Sequence, residues 1–211
     1  MTEQLQVKID AWIDGENIPD KYAFCIPAEE GHVTLGENKS PSISWSGVPE
    51  GVESLVILCT DPGVPTDLEL VNKEDLNIPI ETSRFTFYHW VLVDIPKDID
   101  RLDEGVESEG IQPGGKDTGK REYGIRGKNF YTNWFASDEK MRGDYGGYDG
   151  PCPPWNDNLI HEYIFTVYAL DIASLNLGEQ FSGPDVEQAM QGHILGQGSY
   201  VGTYTLNPTL R

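Results

Sequence analysis

Apolar and polar residues alternate from Leu5 to Ile13, with Leu5, Val7, Ile9, Ala11 and Ile13 on one side, which predicts a half-buried strand. Ser42–Ser46 repeats the pattern around Ile43 and Trp45. Ser54–Thr60 is apolar without a break and predicts a strand covered on both faces. Pro62 and Pro65 cannot donate to a ladder, so that strand is expected to stop near Asp61. Phe85–Ile95 gives the strongest strand signal. It places Phe85, Phe87, His89, Val91 and Val93 on one face and Thr86, Tyr88, Trp90 and Leu92 on the other. His161–Asp171 is β-branched and aromatic, with His161, Tyr163, Phe165, Val167 and Ala169 aligned, and Ser199–Leu206 predicts the final strand. A short helix is expected after Ser182, where Ser182 and Asp185 resemble a capping box and Pro184 suits the first turn. Val186, Ala189 and Met190 follow at helical spacing, and Gly196 is available to close the end.

Between these elements the chain is polar and rich in turn residues. Asp14–Pro19 and Val48–Gly51 read as turns, Lys21–Pro27 as a short extended piece, and Ala28–Ser40 as a loop. Asp67–Arg84 reads as an irregular polar insertion and Pro96–Gly110 as a solvated acidic connection with a short helical turn. Phe130–Phe135 holds four aromatics, suited to core or pocket lining. Asp144–Pro154 alternates Gly with Pro and predicts a stiff, sharply turning loop. Short apolar runs punctuated by 23 Gly and 14 Pro favour a mainly β chain, and one domain over residues 1–211 accommodates all of it.

Charge narrows the function. Thirty-five acidic residues face 15 basic ones, a net charge of −20, which opposes nucleic-acid binding. No apolar run approaches the roughly 20 residues of a membrane span, so stable membrane insertion is not expected. Met1–Asp10 carries no basic segment followed by an apolar one, and a cytoplasmic location is the expectation. Lys116, Lys120, Arg121, Arg126 and Lys128 cluster in Gln112–Asn129, which reads as a solvated loop, with a phosphate or acidic partner as the alternative. Of the three cysteines, Cys59 reads as a buried small hydrophobe, Cys152 as a structural or reactive residue of the stiff loop, and Cys25 carries no signal.

Candidate chemistry lies at Asp61 beyond a strand, His89 within a strand, and His161 with Tyr163 at a strand start. Each has a plain structural alternative. The segments IPDKY, SPSISWSGVPEG, SLVILCTDPGVP, YHWVLVDIP, GDYGGYDGPCPP and HEYIFTVYALD, in this order, resemble the phosphatidylethanolamine-binding protein family, in particular its bacterial Raf-kinase-inhibitor-like branch. The resemblance implies a β-sandwich with Greek-key features and a short C-terminal helix. It further implies a surface pocket for a small anion or phospholipid head group, formed here by Asp61, His89, Cys152, Pro153, His161 and Tyr163, with Tyr200 closing it. A protein kinase or other signalling partner is a further implication. Three departures stand out: Gly63 where the family often has an acid, a long Asp67–Arg84 segment, and Glu162 between His161 and Tyr163, which makes the local field more negative.

A phosphate needs converging donors, and imidazolium, tyrosine hydroxyl and loop amides would supply them. An Asp beside an anion is tolerable when paired with a His, so Asp61 and His89 are expected to titrate together. The alternative function is a metal-assisted or acid–base hydrolase using Asp61, His89 and His161. Against it, the chain has no Gly-x-Ser-x-Gly, phosphate-loop or HExxH motif, and no cofactor is expected.

Overall fold

The computed structural model describes residues 5–211, so the reading of Met1–Asp10 as leader-free falls partly on four residues outside it. Along the chain lie β1 (Gln6–Lys8), β2 (Cys25–Pro27), β3 (Val33–Leu35), β4 (Ile43–Ser46), β5 (Ser54–Pro65) and β6 (Arg84–Pro96). Then come β7 (Arg101–Leu102), β8 (Gly115–Lys116), β9 (Gly119–Arg121), β10 (Gly124–Arg126) and α1 (Tyr131–Trp134). The chain closes with β11 (Asp144–Tyr145), β12 (His161–Leu170), α2 (Gly183–Ala189) and β13 (Ile194–Tyr204).

Six strands form the large sheet in the order β13-β12-β5-β6-β10-β9, and β1-β4-β7 form a small one. The protein is a mainly β sandwich. Leu5, Trp45, Leu55, Ile57, Trp90, Phe165 and Val167 fill the main core. The opposite face of the large sheet carries Val56, Leu58, Tyr88, Val91 and Val93, covered by Leu175, Phe181, Val186 and Met190 around α2. Covering both faces is what the unbroken apolar run of β5 requires. The α2 capping box and its early proline are present, whereas Gly192, at φ +84°, supplies the left-handed turn that the sequence assigned to Gly196.

Three strand expectations change. β1 ends at Lys8, and Trp12 is buried while Ile13 is 76% exposed, so the alternation from Leu5 does not run to Ile13. β5 continues past Asp61 to Pro65 because the ladder shifts between Asp61 and Val64, which pair with Phe87 and Phe85. Pro62 thereby sits in an irregularity where no ladder donor is needed. In β6, Cys59 pairs with Trp90 and Thr60 with Tyr88, leaving His89 as an extra residue. Such a bulge re-aims side chains. Phe87, Trp90 and Leu92 therefore join the main core, while Val91 and Val93 face α2, and the predicted alternation breaks at His89.

The connections are more ordered than their polarity suggested. Glu107, in the supposedly solvated acidic stretch, is buried, accepting from Trp90 Nε1 at 2.9 Å and Arg126 Nε at 2.9 Å. Lys116 pairs with Asp149 and Lys128 with Asp144, so three of the five basic residues of Gln112–Asn129 are committed to internal acids. The solvated-loop reading fails for Lys116 and Arg126, where burial of the cation is compensated by a carboxylate, whereas Lys128 stays partly exposed beside an exposed Asp144.

Candidate functional site

A cavity of about 260 Å³ opens at one end of the large sheet. Its inner polar groups come from Asp61 on β5, His89 on β6 and Tyr163 on β12. Phe87, Tyr131, Trp134 and Phe135 form an aromatic wall, and Cys152, Pro153 and Pro154 another side. Phe24, Cys25, Val33 and Leu35, from the β2–β3 hairpin and the residue before it, complete the mouth with Val64, Val71 and Asn72. Among the described residues, neither lysine nor arginine lines it.

The histidine paired with Asp61 is His161 and not the expected His89. Asp61 Oδ2 lies 2.7 Å from His161 Nδ1, and Asp157 Oδ2 lies 3.1 Å from His161 Nε2. Burial opposes a charge on His161, but Asp61 and Asp157 outweigh it and raise its pKa to about 9. His161 is thus an imidazolium donating through both nitrogens. Arg84 closes the chain of charges, its guanidinium 2.6 Å from Asp157 Oδ2 and 2.9 Å from Asp157 Oδ1.

His89 instead donates from Nδ1 to the Asp149 carbonyl at 2.8 Å. Burial lowers its pKa; the Asp61 charge and the Asp149 carbonyl pull the other way without prevailing. The expected Asp61–His89 pair is therefore replaced by an Asp61–His161 ion pair. With its proton on Nδ1, neutral His89 keeps a lone pair on Nε2, which has no hydrogen-bond partner among the described residues. The Tyr163 ring packs edge-on against His89 at 5.0 Å between centroids. Its Oη is buried with no hydrogen-bond partner among the described residues.

Asp149 anchors the stiff loop. Its carboxylate accepts from Asn38 Nδ2 and Asn129 Nδ2, both at 2.7 Å, and pairs with Lys116. Asn38 Oδ1 receives Gly150 N at 2.8 Å, and Gly150 O receives Tyr131 Oη at 2.8 Å. Cys152 is bonded to Cys25, a disulfide joining the β2 strand to the loop across 127 residues of sequence. That settles Cys152 as structural and gives Cys25 the role its sequence did not signal.

Of the seven residues singled out, Asp61, His89, Cys152, Pro153 and Tyr163 line the cavity. His161 is fully buried behind Asp61 and acts on the cavity through it. Tyr200 stands apart: its hydroxyl donates to the Trp12 carbonyl and its ring lies against Trp12, so the pocket-closing position is not its own. The Asp, two-His metal set does not assemble, since both nitrogens of His161 are spent on carboxylates.

The three departures are now explained. A Cβ on Gly63 would stand 3.0 Å from Asp61 Oδ1 and 3.1 Å from His161 Nδ1, so Gly63 makes room for the ion pair. Glu162 is exposed on the face opposite His161 and Tyr163, away from the cavity. The long segment lends Val71 and Asn72 to the cavity edge and docks on the loop before β12, where Asn156 Nδ2 donates to Leu70 O and Leu76 O, each at 2.9 Å. Sequence reasoning missed Asp149, Asp157 and Arg84, whereas the aromatic run Phe130–Phe135 does supply cavity lining, through Tyr131, Trp134 and Phe135. An Asp enclosed by Gly and Pro in the stiff loop was the available signal for Asp149.

A sandwich with a cavity at the end of its large sheet, built on Asp, His and Tyr, defines the class. The family model described as phosphatidylethanolamine-binding protein matches residues 8–205, and the chain belongs to that family. It is similar to a UPF0098 protein of Methanothermobacter thermautotrophicus, 32% identical over 95% of this chain and 98% of the relative. UPF0098 protein YbhB of Escherichia coli is 29% identical over 91% of this chain and 94% of its own. Among solved structures, Escherichia coli YbcL, described as a new member of the mammalian PEBP family, has a TM-score of 0.68 at 24% identity, covering 96% of this chain and 98% of its own. At that identity it speaks for the fold. No helix among the described residues is long and apolar enough to cross a membrane.

Proposed function

We propose that the protein is a binding module that holds a small anionic ligand, of phosphate or phospholipid head-group type, over Asp61, His89 and Tyr163. One observation carries the reading: the buried Tyr163 hydroxyl has no partner and belongs to a residue lining an open cavity. A buried hydroxyl left unpaired costs about 1–3 kcal/mol, which a ligand oxygen would recover. The aromatic wall of Phe87, Tyr131 and Phe135 suits an apolar group attached to that oxygen acid. Cys152 and Pro153 shape the wall, and the His161 imidazolium holds Asp61 in place. The disulfide weighs against a cytoplasmic location, because structural disulfides persist chiefly in oxidising compartments, the hyperthermophile cytosol excepted.

The test is calorimetric titration with glycerol 3-phosphate and with inorganic phosphate, alongside sedimentation with phosphatidylethanolamine vesicles. Saturable one-to-one binding that is lost on blocking the cavity by Val64→Trp supports the reading, and the probe that binds identifies the source of the phosphate. Absence of saturable binding to all three probes rejects it.

A further inference from the structure

Taking the anionic reading as its basis, we infer that the cavity selects an oxygen acid that still carries a proton: the monoanion of a phosphate monoester, and not its dianion or a sulfate ester. The argument is a count of donors and acceptors. A phosphate dianion presents acceptors only, so it needs donors or cations on every side. Among the described residues, this cavity has neither lysine nor arginine in its lining. Pro151, Pro153 and Pro154 have no N–H, so this side of the cavity offers the Cys152 amide at most. Among the buried inner groups the Tyr163 hydroxyl is the remaining uncommitted donor, while the other side-chain donors of the lining, Asn72 Nδ2 and Trp134 Nε1, belong to exposed residues.

The other inner groups accept. Asp61 brings a carboxylate whose Oδ1 receives the Gly63 N–H at 2.7 Å and whose Oδ2 receives His161 Nδ1, with lone pairs to spare. His89 brings the Nε2 lone pair, because its proton is held on Nδ1 by the Asp149 carbonyl.

The charged groups around His89 do not alter the count. From β12, the His161 imidazolium is spent between Asp61 and Asp157, and Arg84 of β6, which does not line the cavity, gives its terminal nitrogens to Asp157 and to the Gly63 and Pro79 carbonyls. From the stiff loop, the Asp149 carboxylate turns to Lys116, Asn38 and Asn129. From α1, Tyr131 donates its hydroxyl to Gly150 O. The thiols of Cys25 and Cys152 are joined and do not titrate. A ligand P–OH donating to Asp61 or His89, with a second oxygen accepting from Tyr163, satisfies each group. A fully ionised ligand sets bare oxygens against a carboxylate and a lone pair.

The experiment compares phenyl phosphate with phenyl sulfate at pH 5.5 and pH 8.5 by calorimetry. The second ionisation of a phosphate ester falls near pH 6, so its affinity is expected to drop roughly 200-fold between the two conditions. Phenyl sulfate, of the same shape but with no proton to give, is expected not to bind at either pH. Tyr163→Phe should weaken phenyl phosphate about tenfold and leave the pH slope intact. His89→Gln, which keeps an acceptor but cannot titrate, should also keep the slope, its folding being checked by a thermal melt. A flat phosphate profile overturns the inference while leaving anion binding standing. So does phenyl sulfate binding within a few-fold of phosphate at pH 5.5, or a slope abolished by His89→Gln. Silence from both esters overturns the anionic reading itself and this inference with it.

Discussion

Asp61 and His161, a hundred residues apart in sequence, meet at 2.7 Å in the buried layer beneath the cavity. With Asp157 and Arg84 they form an alternating row, carboxylate, imidazolium, carboxylate, guanidinium, in which each charge has an opposite neighbour. Burying any one of them alone would cost several kcal/mol; together they offset that cost and fix the Asp61 carboxylate facing the cavity.

The row makes stability depend on pH. The His161 pKa is raised in the folded state, from 6.5 to about 9, so the folded protein binds the extra proton. That contribution is complete below pH 6.5 and is lost as pH rises through about 9. Urea denaturation between pH 6 and pH 10 should show a decline on the order of 3 kcal/mol. His161→Gln should be less stable at pH 6 and show a flatter profile over the same range. His89, whose pKa is lowered, acts with the opposite sign: its contribution is lost as pH falls below 6.5.

Gly63 is expected to tolerate no side chain. Gly63→Ala places a methyl 3.0 Å from Asp61 Oδ1 and 3.0 Å from Leu159 Cδ2. We expect a loss of about 1–3 kcal/mol and a fall in the His161 pKa as the pair is pushed apart. Unfolding curves measure the first effect, and imidazole proton resonances followed over pH measure the second.

Asp149 should be among the costliest polar positions in the protein. Asp149→Ala strands the buried Lys116 ammonium and leaves Asn38 and Asn129 with unpaired amides. Burial already lowers the Lys116 pKa against the pull of Asp149, so without that carboxylate the amine is expected to lose its proton. The expected loss is about 3–5 kcal/mol, with Asp149→Asn recovering part of it through the retained hydrogen bonds. Differential scanning calorimetry of the two variants decides.

The Cys25–Cys152 bond closes a long loop and holds the β2 strand against the cavity wall. Its removal by Cys25→Ala with Cys152→Ala is expected to cost about 2–5 kcal/mol. Hydrogen exchange should rise first at Phe24 and Cys25, whose amides both bond to the Pro151 carbonyl. Unchanged exchange there would mean that the carbonyl alone holds the strand.

The strands were legible wherever a two-residue repeat or an unbroken apolar run set their faces. β12 shows this best, with His161, Tyr163, Phe165, Val167 and Ala169 all buried on one side. Those patterns record burial, and burial is what composition encodes. The capping box of α2 was legible for the same local reason, since its hydrogen bonds span three residues.

Pairing between distant side chains leaves no such trace. The extra residue at His89 is created by the register with β5, so the side on which Trp90 lies depended on a neighbouring strand. Lys116, Glu107 and Arg126 looked like surface charges because one-dimensional polarity cannot distinguish a solvated ion from one buried beside its opposite. By itself the chain determined a β sandwich of this family and brought Asp61, His89, His161 and Tyr163 forward as the chemistry. Only the tertiary structure decided that His161 rather than His89 is the charged partner of Asp61, because a buried proton follows whichever acceptor the fold sets within reach.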